Sequence, residues 1–126
     1  ILTTFMKFMH IDNRIINKLR AYDKYKNLGK LEDLLDCNII YICLPTPYDE
    51  FMSEFDTDAI DETLQHLAKK NYGGLIVIKS TVPIGYGARK NMEFRQLNII
   101  SNPEFLSSRT AVYDFSNQKH IIISTI

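Results

Sequence analysis

The stretch Asn98–Leu106 reads NIISNPEFL. Its apolar part has the composition of a buried strand, yet a carboxylate, Glu104, stands three residues past its end behind a rigid Asn-Pro. A second run, Ile76–Pro83, reads IVIKSTVP and breaks off similarly, from β-branched residues into hydroxyls and a proline. Apolar runs that are continuous rather than alternating belong to a parallel sheet covered on both faces. In such a sheet ligands bind in the crevice outside the carboxyl ends of the strands. Polar residues placed just past strand ends are therefore candidates for chemistry.

Working outward, strand composition recurs at Thr4–Ile11, at Ile39–Leu44, at Leu75–Ser80 with Asn98–Ser101 close behind, and at His120–Ser124. Helical periods lie between them. Asp12 is placed to cap a helix with Ile15, Ile16 and Leu19 on one face. Asp58 is placed to cap another, with Ile60, Leu64 and Leu67 at four- and three-residue spacing; its end is marked by Lys69 and Lys70 and then Gly73 and Gly74. A shorter helix follows Pro83 and runs through Ala88 to Phe94, and Tyr22–Asp36 supports at most a short one. Strands alternating with helices predict a doubly wound, mostly parallel α/β sheet of Rossmann-like type. Three polar segments, LPTPYDE, KSTVP and NPEF, then follow the ends of three strands and share one edge.

The chain has 126 residues, the size of one domain able to bury a core of its own. Fifteen basic residues balance fifteen acidic ones, so no net field draws a nucleic acid or an anionic membrane. No apolar run approaches membrane-spanning length, and the N-terminal ILTTFMKFMHID lacks a small-residue cleavage site, which predicts a cytoplasmic protein. Cys37 and Cys43 have no partners at metal-ligand spacing, so no metal site is predicted, and Cys43 reads as a small core hydrophobe.

LPTP at 44–47, KSTVP at 79–83, NPEFL at 102–106, the pair Asp114-Phe115 and HIIIS at 120–124 together resemble, in order and spacing, the N-terminal domain of the UDP-glucose/GDP-mannose dehydrogenase family. The resemblance covers roughly the last two-thirds of the chain. It implies an NAD-dependent oxidation of a nucleotide sugar at C6, alcohol to carboxylate, through a thioester on a downstream cysteine. By the same resemblance Glu104 assists proton transfer when water attacks that thioester, and Thr81 hydrogen-bonds near the reacting water and the nicotinamide. Ser80 and Val82 line the same cofactor edge. Leu44, Pro45, Thr46, Pro47 and Tyr48 border the dinucleotide, while Phe105, Leu106, Ser107 and Ser108 touch the sugar nucleotide.

Each of these positions also has a purely structural reading. Glu104 could open a helical turn, where a carboxylate gains from exposed amides; Ser80 and Thr81 could be turn formers; Pro-Thr-Pro could simply end a strand.

The chain departs from the family pattern in several places. It contains no G-x-G-x-x-G, the turn whose amides approach a pyrophosphate. His10 falls where the family's second strand ends in a ribose-binding acid, and Ser108 stands where the best-known UDP-glucose members carry an acidic residue. The downstream Lys, Asn and Cys of the family's active site are not in this sequence. Residues 1–126 are thus expected to be a partial, truncated NAD-binding domain, lacking the first strand and its Gly-rich turn and prone to self-association at the sheet edge this leaves. The alternative expectation is a non-catalytic Rossmann-like binding or assembly module derived from the family.

Overall fold

The structure, a computed structural model, describes residues 19–107 and 109–124. The strand expected at Thr4–Ile11, His10, the Asp12 cap and Ser108 lie outside the described residues. The described residues form two compact units: one comprises Asn38–Glu104 with residues 121–124, the other residues 19–37 with 105–107 and 109–120.

The first unit is built on three parallel strands, β1 (Ile39–Ile42), β4 (Leu75–Ile78) and β5 (Asn98–Ser101), in the order β1-β4-β5. Ile40, Ile76 and Ile99 lie in register across the sheet, followed two residues on by Ile42, Ile78 and Ser101. These isoleucines are buried, and Ile76 and Ile78 on the central strand are wholly so. Helix α1 (Asp58–Lys69) adds Ile60, Leu64 and Leu67 to the core, all with no exposed surface. Each such side chain contributes about 1.5–3 kcal/mol by leaving water.

The ends of α1 correct two expectations. Thr57, not Asp58, is the cap residue, because its carbonyl accepts from the amides of both Ile60 and Asp61 (3.0 Å each). Asp58 is the first helical residue, and its N–H is met by Asp56 Oδ1 at 3.0 Å. At the other end the left-handed position is taken by Asn71 (φ 52°) rather than by a glycine. Its N–H reaches Ala68 O and that of Tyr72 reaches Leu67 O, both at 3.0 Å, which satisfies two of the carbonyls a helix end leaves open.

Pro83 to Tyr86 form a turn closed by Tyr86 N–H to Pro83 O (3.0 Å). Gly85, at φ 78° and ψ 2°, occupies the position of that turn that excludes most side chains. Helix α2 (Tyr86–Glu93) follows. It is tied to α1 by polar bonds: Tyr86 Oη donates to Asp61 Oδ1 (2.6 Å), and Lys90 Nζ lies 2.8 Å from the same oxygen and 2.8 Å from Glu93 Oε2. Burial would lower the Lys90 pKa, but its bonds to Asp61 and Glu93 outweigh that and hold it above the ordinary lysine value. Gly87 has no room for a Cβ, which would collide with the Ser101 hydroxyl, so α2 lies close against β5.

The fourth expected run, His120–Ser124, is not a strand of this sheet. Among the described residues it makes a single antiparallel bridge, Ser101 with Ser124, while Ile121, Ile122 and Ile123 stay half or more exposed. The reason lies at β5. Asn91 of α2 receives Ile99 N–H on Oδ1 (3.0 Å) and donates from Nδ2 to Ile99 O (2.6 Å), filling the place on the outer edge that another strand would need. Only the backbone of Ser101 remains available.

Between β1 and α1 the chain makes a small antiparallel hairpin, β2 (Tyr48–Asp49) with β3 (Glu54–Phe55). Asp49 Oδ1 accepts the amides of Phe51 (2.8 Å) and Met52 (3.0 Å), which closes the tip.

In the second unit a bridge pairs Asp23 with Leu28, a 3₁₀ turn covers Leu31–Leu34, and a six-residue helix, α3 (Ala111–Ser116), follows Thr110. The 3₁₀ turn is the short helix expected in Tyr22–Asp36. Sequence reading missed α3 and the hairpin.

Candidate functional site

Because β1, β4 and β5 are parallel, their carboxyl ends lie at one edge, and the three polar segments leave the sheet there. Two of the expected strands end two residues early, at Ile42 and Ile78, and side chains take over the pairing. Lys79 N–H still reaches Ile42 O (2.8 Å). Beyond it, the buried Ser80 donates from Oγ to Leu44 O at 2.8 Å. Thr46 then donates from Oγ1 to Thr81 O at 2.6 Å. These two hydroxyls stitch the exit of β1 to the exit of β4. Thr81 is exposed, and its own hydroxyl has no partner among the described residues.

Glu104 is reached from the same strand end. Lys79 Nζ lies 3.2 Å from Glu104 Oε1 and donates to Asn102 Oδ1 at 2.8 Å. The two charged side chains are only 9% and 13% exposed, which makes them a nearly buried ion pair. Desolvation consumes much of the attraction in such a pair, but removing one partner strands the other and costs about 3–5 kcal/mol. Asn102 is held from two directions, by its own N–H to Ile78 O (2.9 Å) and by Nδ2 to Ile122 O (2.7 Å).

Cys43 sits in this electrostatic neighbourhood and is not in a disulfide. Burial first, then the Glu104 charge, push its thiol up to about 11, with Lys79 offsetting part of the rise. Cys43 is half-buried, at the margin of the core rather than inside it.

The expected site residues therefore divide. Leu44, Thr46, Ser80, Thr81 and Glu104 gather at the strand ends, with Val82 next in the chain. Pro45 and Pro47 are exposed, and Pro47 O accepts the Asp56 amide (2.9 Å) at the base of the hairpin. Tyr48 opens β2, half exposed, its ring edge-on to Phe55 with centroids 5.0 Å apart. Phe105, Leu106 and Ser107 belong to the second unit, where Ser107 N–H and Thr110 Oγ1 donate to Asp114 Oδ2 (3.0 and 2.8 Å). Lys79 and Asn102 were not among the expected site residues. The available signal was a lysine stepping directly off a fully apolar strand, a place where a charge must find a partner. Among the described residues no group of three or more His, Cys, Asp or Glu side chains could hold a metal ion, and no helix is long and apolar enough to cross a membrane.

Residues 10–125 match the UDP-glucose/GDP-mannose dehydrogenase family, NAD binding domain. The chain belongs to this family. It is 37% identical over 108 residues to the UDP-glucose 6-dehydrogenase of Campylobacter jejuni, a match covering 86% of this chain and 26% of that enzyme. The UDP-glucose 6-dehydrogenase of Streptococcus pneumoniae is 35% identical over 118 residues, covering 86% and 30%. Among solved structures, a UDP-glucose dehydrogenase from Pyrobaculum islandicum superposes with a TM-score of 0.59 at 27% identity, covering 74% of this chain and 24% of that one. A GDP-mannose dehydrogenase from Pseudomonas aeruginosa in a ternary complex shares the fold, with a TM-score of 0.60 at 21% identity, covering 76% and 25%. The fold is thus the Rossmann-type α/β fold, and NAD is the cofactor of the family's domain. The chain spans under a third of the length of these curated relatives.

The raised thiol gives a test of the site's electrostatics. At pH 8 about one Cys43 in a thousand is thiolate, against roughly a quarter for an unperturbed thiol. Alkylation by iodoacetamide, followed residue by residue by mass spectrometry, is expected to rise about tenfold per pH unit until near pH 11. A midpoint close to the ordinary thiol value would contradict the burial and the neighbouring carboxylate.

Proposed function

We propose that this chain is the NAD-binding part of a cytoplasmic nucleotide-sugar 6-dehydrogenase of the UDP-glucose to UDP-glucuronate type, taking a C6 alcohol to a carboxylate. The observation that carries the reading is the gathering of Thr46, Thr81, Lys79 and Glu104 at the carboxyl edge of a parallel sheet, in a chain that belongs to this family. Half-buried Leu44 and Val82 supply an apolar wall, and the exposed Thr81 hydroxyl supplies a hydrogen bond beside it. That combination fits the amide-bearing ring of a nicotinamide. Bound NAD would accept the hydride. Thr81 would orient the ring's edge and a nearby water, and Glu104 would accept a proton from water as it attacks the enzyme-bound acyl group, a role that depends on geometry first. The nucleophile for that acyl group is assigned to a cysteine outside this sequence, since Cys43 is held protonated. Phe105, Leu106, Ser107 and Ser108 are assigned to the nucleotide sugar, and His10, Pro45, Pro47 and Tyr48 to the dinucleotide.

With no Gly-rich turn in this sequence to cradle the pyrophosphate, several hydrogen bonds of about 1 kcal/mol each are lost, and the chain alone should bind NAD weakly. Saturation-transfer NMR at millimolar NAD is the suitable measurement. Transfer to the nicotinamide protons is expected, with Thr81→Val weakening binding about fivefold, the value of one hydrogen bond. The chain alone should form no NADH from NAD and UDP-glucose. Absence of any saturation transfer would contradict the nicotinamide site, and steady turnover by the chain alone would contradict the assignment of the nucleophile to a cysteine outside this sequence.

A further inference from the structure

An ammonium group has three donors and no acceptor. Lys79 gives one of these to Asn102 Oδ1 at 2.8 Å, its charge lies 3.2 Å from Glu104 Oε1 in an ion pair, and the side chain is 9% exposed. Asn102 does not depend on Glu104 for its own placement. Its N–H to Ile78 O extends the pairing of β4 with β5 by one step, and its Nδ2 is bound to Ile122 O. The amide oxygen that fixes Lys79 is thereby set by the backbone of the sheet and of Ile122. The chain of support runs from the sheet to Asn102, from Asn102 to Lys79, and from Lys79 to one carboxylate oxygen. The other oxygen, Glu104 Oε2, has no partner among the described residues.

We propose that Lys79 is a positioning residue, which clamps Oε1 of Glu104 so that Oε2 is held ready as the proton acceptor. The proposal rests on the reading of Glu104 given above, but the clamp is a property of this chain that is measurable without NAD or sugar. An ion pair this buried adds little net stability compared with an apolar pair of the same volume. Its distinctive contribution is direction. A free glutamate side chain samples several staggered rotamers, and a base must be in reach of its proton before its basicity matters.

NMR of the isotopically labelled chain tests the clamp through two signals: the Lys79 ammonium cross-peak, which persists in water only when the group is held, and the order parameter of the Glu104 γ-methylene. In the wild-type chain the cross-peak is expected and the methylene is rigid. Lys79→Met keeps the aliphatic stem and its packing but removes the charge, so the Glu104 order parameter should fall below about 0.6, the flexible range, while that of Glu93 is unchanged. Lys79→Arg restores the cation and should restore the order, which a purely packing role would not require. Should Lys79→Met fail to fold, Asn102→Ala carries the test: the Lys79 cross-peak should be lost and Glu104 loosened. A Glu104 side chain equally ordered in wild type and in the folded variant, or already mobile in wild type, overturns the proposal. Failure to bind NAD would leave both signals unchanged and would count against the proposed function alone.

Discussion

Strand β4 has a parallel neighbour on each side, and the rest of the first unit is arranged by that constraint. A strand bonded along both edges cannot shift register without breaking two ladders, and its wholly buried Ile76 and Ile78 fix which way its side chains face. Where β4 ends is therefore set, and with it the positions of Lys79, Ser80 and Thr81. Parallel pairing then brings the exits of β1 and β5 to the same edge. Thr46 meets Thr81 across 35 residues of sequence, and Lys79 meets Asn102 across 23. A carboxylate at residue 104 becomes a neighbour of a lysine at residue 79 with no local reason to be one.

The same geometry explains what could be read from the chain beforehand. The three strands of the sheet are short isoleucine-rich runs, and α1 repeats its leucines and isoleucine at helical spacing; both are local patterns, and both were legible. The run HIIIS was equally apolar and failed as a strand, because the edge it would have joined is occupied by the side-chain amide of Asn91. Nothing within HIIIS could reveal that. Helix α3 and the hairpin of β2 and β3 are too short to carry a period. The stop of α1 was marked by glycines, yet Asn71 supplies the left-handed residue, a role asparagine tolerates better than most.

The candidate site was legible in its hydroxyls and its glutamate because they follow strand ends in recognisable motifs. Its organising contact was not, since an ion pair between residues on different strand exits leaves no trace in spacing. Ser80 shows the converse: expected at the cofactor edge, it spends its hydroxyl on Leu44 O and is buried. It belongs to the scaffold that holds Thr46 and Thr81 beside each other. Membership of the dehydrogenase family and the Rossmann-type fold give this edge its meaning, because the carboxyl ends of such strands are where the dinucleotide and the reacting groups meet.

The central claim is that the edge where β1, β4 and β5 end is where NAD and the charged pair come together. A crystal structure of the chain grown with saturating NAD tests it most directly. The account predicts nicotinamide density against Thr81 and Val82, with Thr46 still bonded to Thr81 O and Glu104 still on Lys79. Density instead in the groove lined by Gln65, Ala68, Lys69 and Phe94 would contradict it.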